Sequence, residues 1–353
     1  MNWNVIHRVF IIIGLFVFSG CSSGQWALIE SSSQELLWPP APQTPRIKFL
    51  NIISRFQEKG PLDSSKGLSE AWRDFTGKRE ERIFIAPYGV TADDEGNLYV
   101  VDRDTGLITV INTINNDSFF FKYEGDEGSG SEAVGDFPIG IAVAKSVGIF
   151  VTYPKSGSIR LFDRKGNYKG KFGKGVRIGR PTGVAVDMDD DRLYVVDTTE
   201  HNVKIFTLKG ELINTFGMRG DNDGALNYPT HIFVGQDGYV YVTDELNYRV
   251  QIYSKDGAFI SKIGSVGETP GTFQALKGVA VDSEGNIYVA DPVSDHIQIF
   301  NSEGELLLIF GRNGYGPGEF GGATGLFIDK SDKIYVTDLY NARVQAFQYL
   351  GDD

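Results

Sequence analysis

A single cysteine, Cys21, is present in 353 residues, and the four histidines include one, His7, that precedes it. One thiol cannot form an intramolecular disulfide, a Cys-x-x-Cys-His haem attachment or a cysteine-based zinc site. Three histidines remain further along, His201, His231 and His296. The apolar run over residues 9–18 is too short to span a bilayer. Positive charge is also in deficit, with a net charge of −12. An acidic surface repels phosphate backbones, which argues against nucleic acid as a partner. What is abundant is apolar and flexible: 41% hydrophobic residues, 12% aromatic ones and 43 glycines, enough for a large globular core.

The N-terminus has the plan of an export signal. Arg8 supplies positive charge, residues 9–18 are apolar, and the small pair Ser19-Gly20 leads directly into Cys21. This arrangement resembles the bacterial lipobox, which implies that residues 1–20 are a lipoprotein signal peptide and that Cys21 is acylated. The other reading is an ordinary secretory leader, and either one exports the protein. Ser22 rather than Asp follows the cysteine, which by resemblance to Gram-negative sorting implies the outer membrane. Residues 21–45 read as a tether, Ser-rich at first and then proline-rich at Trp38-Pro-Pro-Ala-Pro-Gln-Thr-Pro45, extended and semi-rigid.

From Pro87 the chain repeats itself. A Pro-x-Gly-Val-Ala-Val-Asp theme begins at Pro87, Pro138, Pro181, Pro229, Leu276 and Ala323, at spacings of 43 to 51 residues. Each unit carries an apolar strand, a tight turn such as Ser283-Glu-Gly-Asn286 and a second strand ending in a polar residue. A third strand, a second tight turn and a fourth strand follow. Four short strands per period predict an all-β, six-bladed β-propeller with antiparallel blades over residues 46–353.

The segments Tyr335-Val-Thr-Asp338-Leu-Tyr-Asn341-Ala-Arg343 and Tyr241-Val-Thr-Asp244-Glu-Leu-Asn247-Tyr-Arg249 resemble the NHL repeat. In both, an Asp, an Asn three later and an Arg five later can tie a strand end to its neighbour by charge-assisted hydrogen bonds. Asp102, Asp197 and Asp291 keep the first member elsewhere, and Tyr153 replaces it in the second unit. A position that recurs from unit to unit serves the repeat, so this set reads as structural.

The sixth unit ends without room for a fourth strand. Residues 46–54 supply one, and pairing it with residues 344–347 closes the ring. An insertion over residues 57–83 carries Leu68, Ala71, Trp72 and Phe75 at helical spacing and predicts one short helix.

Long interblade connections share a face with the loops between second and third strands, and that face is where recognition is expected. Its acidic residues are Asp104, Asp126, Glu127, Glu132, Asp136, Glu200, Asp221, Asp223, Glu245 and Asp295. A non-catalytic binding or scaffold module at the cell envelope follows, with another exported protein as partner. Such a partner would be basic, and the resemblance to bacterial lipoproteins of this kind suggests a multihaem cytochrome assembly. The alternative is a metal-dependent propeller hydrolase or lyase, lactonase-like or amidating-lyase-like. Amidating lyases of the propeller type resemble this fold and hold zinc through histidines near the start of the innermost strands. The matching slots here read Gly89, Gly140, Gly183, His231, Gly278 and Gly325. No cofactor is expected; calcium is the one metal the supply of oxygen ligands would suit.

Overall fold

The computed structural model describes residues 25–32, 35–58, 81–125 and 135–351. The six repeats form the four-stranded antiparallel blades of a propeller; blades 2 to 5 are separate sheets, and the N-terminal strands join blades 1 and 6 into one eleven-stranded sheet. In blade 3 the strands Pro181–Asp187, Arg192–Asp197, Asn202–Thr207 and Leu212–Phe216 follow chain order from the axis outward. Between its charged ends the second strand is apolar, because neighbouring blades cover both its faces: Leu193, Tyr194, Val195 and Val196 are fully buried. The outermost strand meets water, and Leu212 and Ile213 are exposed. Apolar side chains therefore pack between blades, as Tyr194, Phe216 and Tyr253 do between blades 3 and 4.

The first strands touch in a closed cycle: Pro87–Ala92, Ile141–Ala144, Pro181–Asp187, Pro229–Val234, Val279–Val281 and Ala323–Ile328. The repeated glycine has a steric cause. A Cβ on Gly140 would strike the carbonyl oxygen of Thr182 in blade 3, and one on Gly325 that of Tyr88 in blade 1. Only glycine lets the strands approach so closely. Threonine hydroxyls bond the same seams: Thr152 donates to the carbonyl of Thr182 at 2.6 Å, Thr243 to Lys277 at 2.8 Å and Thr337 to Tyr88 at 2.8 Å.

Ring closure follows the expected pairing. The strand Ile47–Glu58 runs antiparallel to Arg343–Tyr349, with Ile53 opposite Val344 and Ile47 opposite Tyr349. It is longer than residues 46–54 and carries more than the last blade. Gln25–Glu30 pairs with its second half and reaches Asp117 and Ser118 of blade 1, while Leu37–Trp38 pairs with its start. Trp38 packs on Phe310 and Phe347, each at 5.9 Å between ring centroids. Part of the segment read as a tether is thus strand. The physical reason is that a bare outer strand presents unpaired N–H and C=O groups, which these segments take up. Residues 59–80, where a helix is expected, lie outside the described residues. Their flanks are strand, with Glu81–Arg82 paired to Arg55 and Phe56. Cys21 and the signal segment also lie outside the described residues.

Candidate functional site

On the long-loop face, most of the repeated polar residues are committed to holding the loops. The Asp338 carboxylate accepts from the Gly321 N–H at 2.7 Å, Asn341 Nδ2 at 2.9 Å and Arg343 Nε at 2.7 Å. Arg343 also donates to the carbonyls of Tyr315, Gly316 and Glu319, pinning the preceding interblade loop. Blade 4 repeats this with Asp244, Asn247 and Arg249, the last donating to the carbonyls of Asn222 and Ala225. Gln251 and Gln345 bond the same loops from seven residues beyond each Asp. Sequence reasoning passed over these glutamines, although the recurrence of Arg-Val-Gln marks them. Asp291 accepts from the N–H groups of Gln274 and Ala275, Asp197 from those of Gly179 and Arg180, and Asp102 from those of Ile85 and Ala86.

Blade 2 solves the same problem differently. Tyr153 stands where the other blades have Asp, and Arg160 lies between the rings of Tyr123 and Tyr153, at 3.7 and 3.8 Å. Its counterion is Asp136, 3.0 Å away and just as buried. Asp136 is therefore placed inside the blade seam and not on the loop surface. Asp295 is buried too, accepting from the Gly322 N–H and from Asn313 Nδ2, each at 2.6 Å. Glu245 pairs with Lys277 at 2.7 Å, and Asp223 with Lys262 at 2.5 Å. Asp104 lies 3.4 Å from Arg103. Glu200 and Asp221 are exposed. Asp126, Glu127 and Glu132 lie outside the described residues. Among the described residues the acidic set is not brought together into one patch, and exposed Lys174, Arg177 and Arg180 stand on the same face.

The axis supplies the convergence that the loops do not. His231 occupies the one first-strand slot among the six that is not glycine, and its ring lies 5.7 Å from that of Tyr88 across the axis, tilted by 30°. Burial pushes its pKa down to about 3, with the charge of Lys277 acting in the same direction, so the ring is neutral. Burial also raises the Tyr88 phenol. Above this waist, on the long-loop side, opens a funnel of about 190 Å³ bordered by Tyr88, Arg180, Thr182, Tyr228, Glu245 and Lys277. The Arg103 guanidinium sits 5.6 Å from the Tyr88 ring centre. Arg180 makes no ion pair among the described residues. Hydroxyls and cations at one opening can receive an anionic group. Among the described residues, no three His, Cys, Asp or Glu side chains stand close enough together to hold a metal ion.

Family models agree with this geometry. A model described as "6-bladed beta-propeller" matches residues 227–297 and 283–350, and one for the NHL repeat matches residues 179–206. Protein brain tumor of Drosophila melanogaster is 37% identical over 86 residues, 23% of this chain. The match spans 8% of that protein's length. A Bacteroides thetaiotaomicron protein of unknown function has a similar structure, with a TM-score of 0.58 at 14% identity over 92% of this chain and 90% of its own. A streptogramin B lyase superposes with a TM-score of 0.56 at 12% identity, over 76% of this chain and 94% of its own. At such identities the likeness is one of fold.

Proposed function

We propose, for a chain that is a six-bladed β-propeller carrying an NHL repeat, a non-catalytic binding module that receives an acidic group in the axial funnel of its long-loop face. The observation that carries this reading is the funnel itself. Arg180 and Lys277 border it with the Tyr88 and Thr182 hydroxyls; Lys277 is matched by Glu245, whereas Arg180 has no acidic partner among the described residues and supplies the unmatched positive charge. The charge count of the sequence favours a basic partner, whereas this opening suits the opposite sign. The partner is an exported protein with an acidic segment, met at the cell envelope where lipid on Cys21 would hold the propeller. The lyase with a similar fold is 12% identical, and nothing at the funnel favours a metal-dependent reaction over binding.

The test uses labelled hexaglutamate and hexalysine peptides. Hexaglutamate should bind saturably, weaken as salt screens the cations over a Debye length of about 8 Å at physiological ionic strength, and bind at least tenfold more weakly to Arg180→Glu. Equal binding of hexalysine, or an unaltered affinity in the variant, overturns the reading. Fractionation of cells carrying Cys21→Ala tests the anchor, since the mature chain should leave the membrane fraction if lipid holds it there.

A further inference from the structure

The other end of the axis opens on the tight-turn face, as a cavity of about 230 Å³ that descends to His231. All six blades wall it, with Val90, Val143, Val184, Ile232, Val279 and Leu326 among the contributing side chains. Its rim is charged, but the charges are spent on one another. Arg164 pairs with Asp93 at 2.5 Å and with Glu95 at 2.9 Å, Lys145 lies 3.2 Å from Glu95, and Lys330 lies 3.5 Å from Asp94. These pairs bridge blade 1 to blades 2 and 6 and take up the three rim cations, while the remaining rim carboxylate, Asp329, accepts hydrogen bonds from Ser331 and Lys333.

Most of the lining between rim and floor is apolar, and water bound there finds fewer of the two to four polar partners that keep it well. Apart from the paired rim, the polar side chains include the neutral His231 ring with Thr182 and Thr230 at the floor, and Thr91 and Gln236 elsewhere in the lining. A closed apolar cavity of about 150 Å³ is already large enough for benzene. This one exceeds that size, and it is open at the top.

We propose that this cup is a second binding site, independent of the funnel, for an uncharged small hydrophobe of aromatic or branched aliphatic character with one hydrogen-bonding group. The apolar body lies against the valine and leucine walls, and the polar group reaches His231. The driving force is removal of apolar surface from water, so affinity does not depend on ionic strength. The funnel behaves in the opposite way, and salt dependence alone tells the two sites apart.

The probe is N-phenyl-1-naphthylamine, neutral and fluorescent in apolar surroundings, titrated into the purified full chain. Saturable binding at one site per chain is expected, unchanged between low and high salt. Val143→Phe and Val234→Phe, both filling the cup, should each weaken it at least tenfold, while Arg180→Glu at the opposite end changes it less than twofold. Diffraction from wild-type crystals under xenon pressure gives a readout that needs no variant, with xenon expected between Val184 and Leu326. Absence of saturable binding, equal affinity in the filled variants, or a cup empty of xenon overturns the proposal.

Discussion

The two ends of the propeller axis are built by opposite means. On the tight-turn face a carboxylate closes its own turn, whatever pairs it adds to the next blade. Asp282 accepts from the N–H groups of Glu284 and Asn286, from the Asn286 side chain and from the Tyr288 hydroxyl, all within six residues. Asp93 does the same with Glu95, Asn97 and Tyr99. On the long-loop face, Asp338 and Arg343 reach back to Tyr315, Glu319 and Gly321, across a whole strand pair. Local turns leave the cup walls free to be apolar. Long loops need buried charge to hold them, and Arg180, which borders the funnel, is left without an acidic partner among the described residues.

If that contrast is right, lesions at the two ends should differ in size. Asp338→Ala leaves the Arg343 guanidinium buried with its loop released, and removing one partner of such a pair costs about 3–5 kcal/mol. Asp338 is fully buried, so little solvent is available to relieve the loss. Chemical denaturation should show a lower midpoint, and proteolysis should cut first within residues 311–322. Cleavage elsewhere, or a loss under about 1 kcal/mol of the size seen for surface changes, would mean the loop is held by other contacts.

The matching lesion on the other face is Asp282→Ala. It removes several hydrogen bonds within one turn, yet leaves no buried cation behind, and should cost about 1–2 kcal/mol. Denaturation of the two single variants under identical conditions ranks the faces directly. Equal losses would erase the distinction between local and long-range construction.

The loop end was also the harder one to read. The six starts from Pro87 to Ala323, the tight turns and the closing strand were all legible, because a period, a Gly at a fixed position and a missing strand are properties of one line of residues. The pairing of Asp338 with Arg343 was legible for the same reason, since both lie in one repeat. Asp136 was not. Its partner Arg160 sits in a slot that is Gln251, Gln298 or Gln345 in other blades, and only the fold carries the two together. Acidic loop residues looked like one surface because their cations, Lys262 and Lys277, come from neighbouring strands and loops. His231 stood out as the odd slot, but its stacking on Tyr88 depends on a residue from blade 1, on the far side of the ring. The cup was invisible for the same reason, each blade adding only a few ordinary apolar residues to it.

The smallest expected effect concerns the waist that separates the two ends. With its pKa pushed down to about 3 by burial first and the Lys277 charge second, native His231 stays neutral where an unfolded histidine, at about 6.5, takes up a proton. The stability this group contributes is fully present above about pH 6.5 and is lost progressively as pH falls toward 3, because the unfolded state then binds the extra proton. His296 is lowered too, chiefly by burial, and slopes in the same direction. The informative quantity is therefore the difference between wild type and His231→Phe, which keeps a ring against Tyr88 but cannot be protonated. Melting temperatures taken from pH 7 to pH 4 should fall less steeply in the variant. Parallel slopes would mean that water entering by the cup or the funnel solvates the charged ring, so that the waist does not hold it neutral.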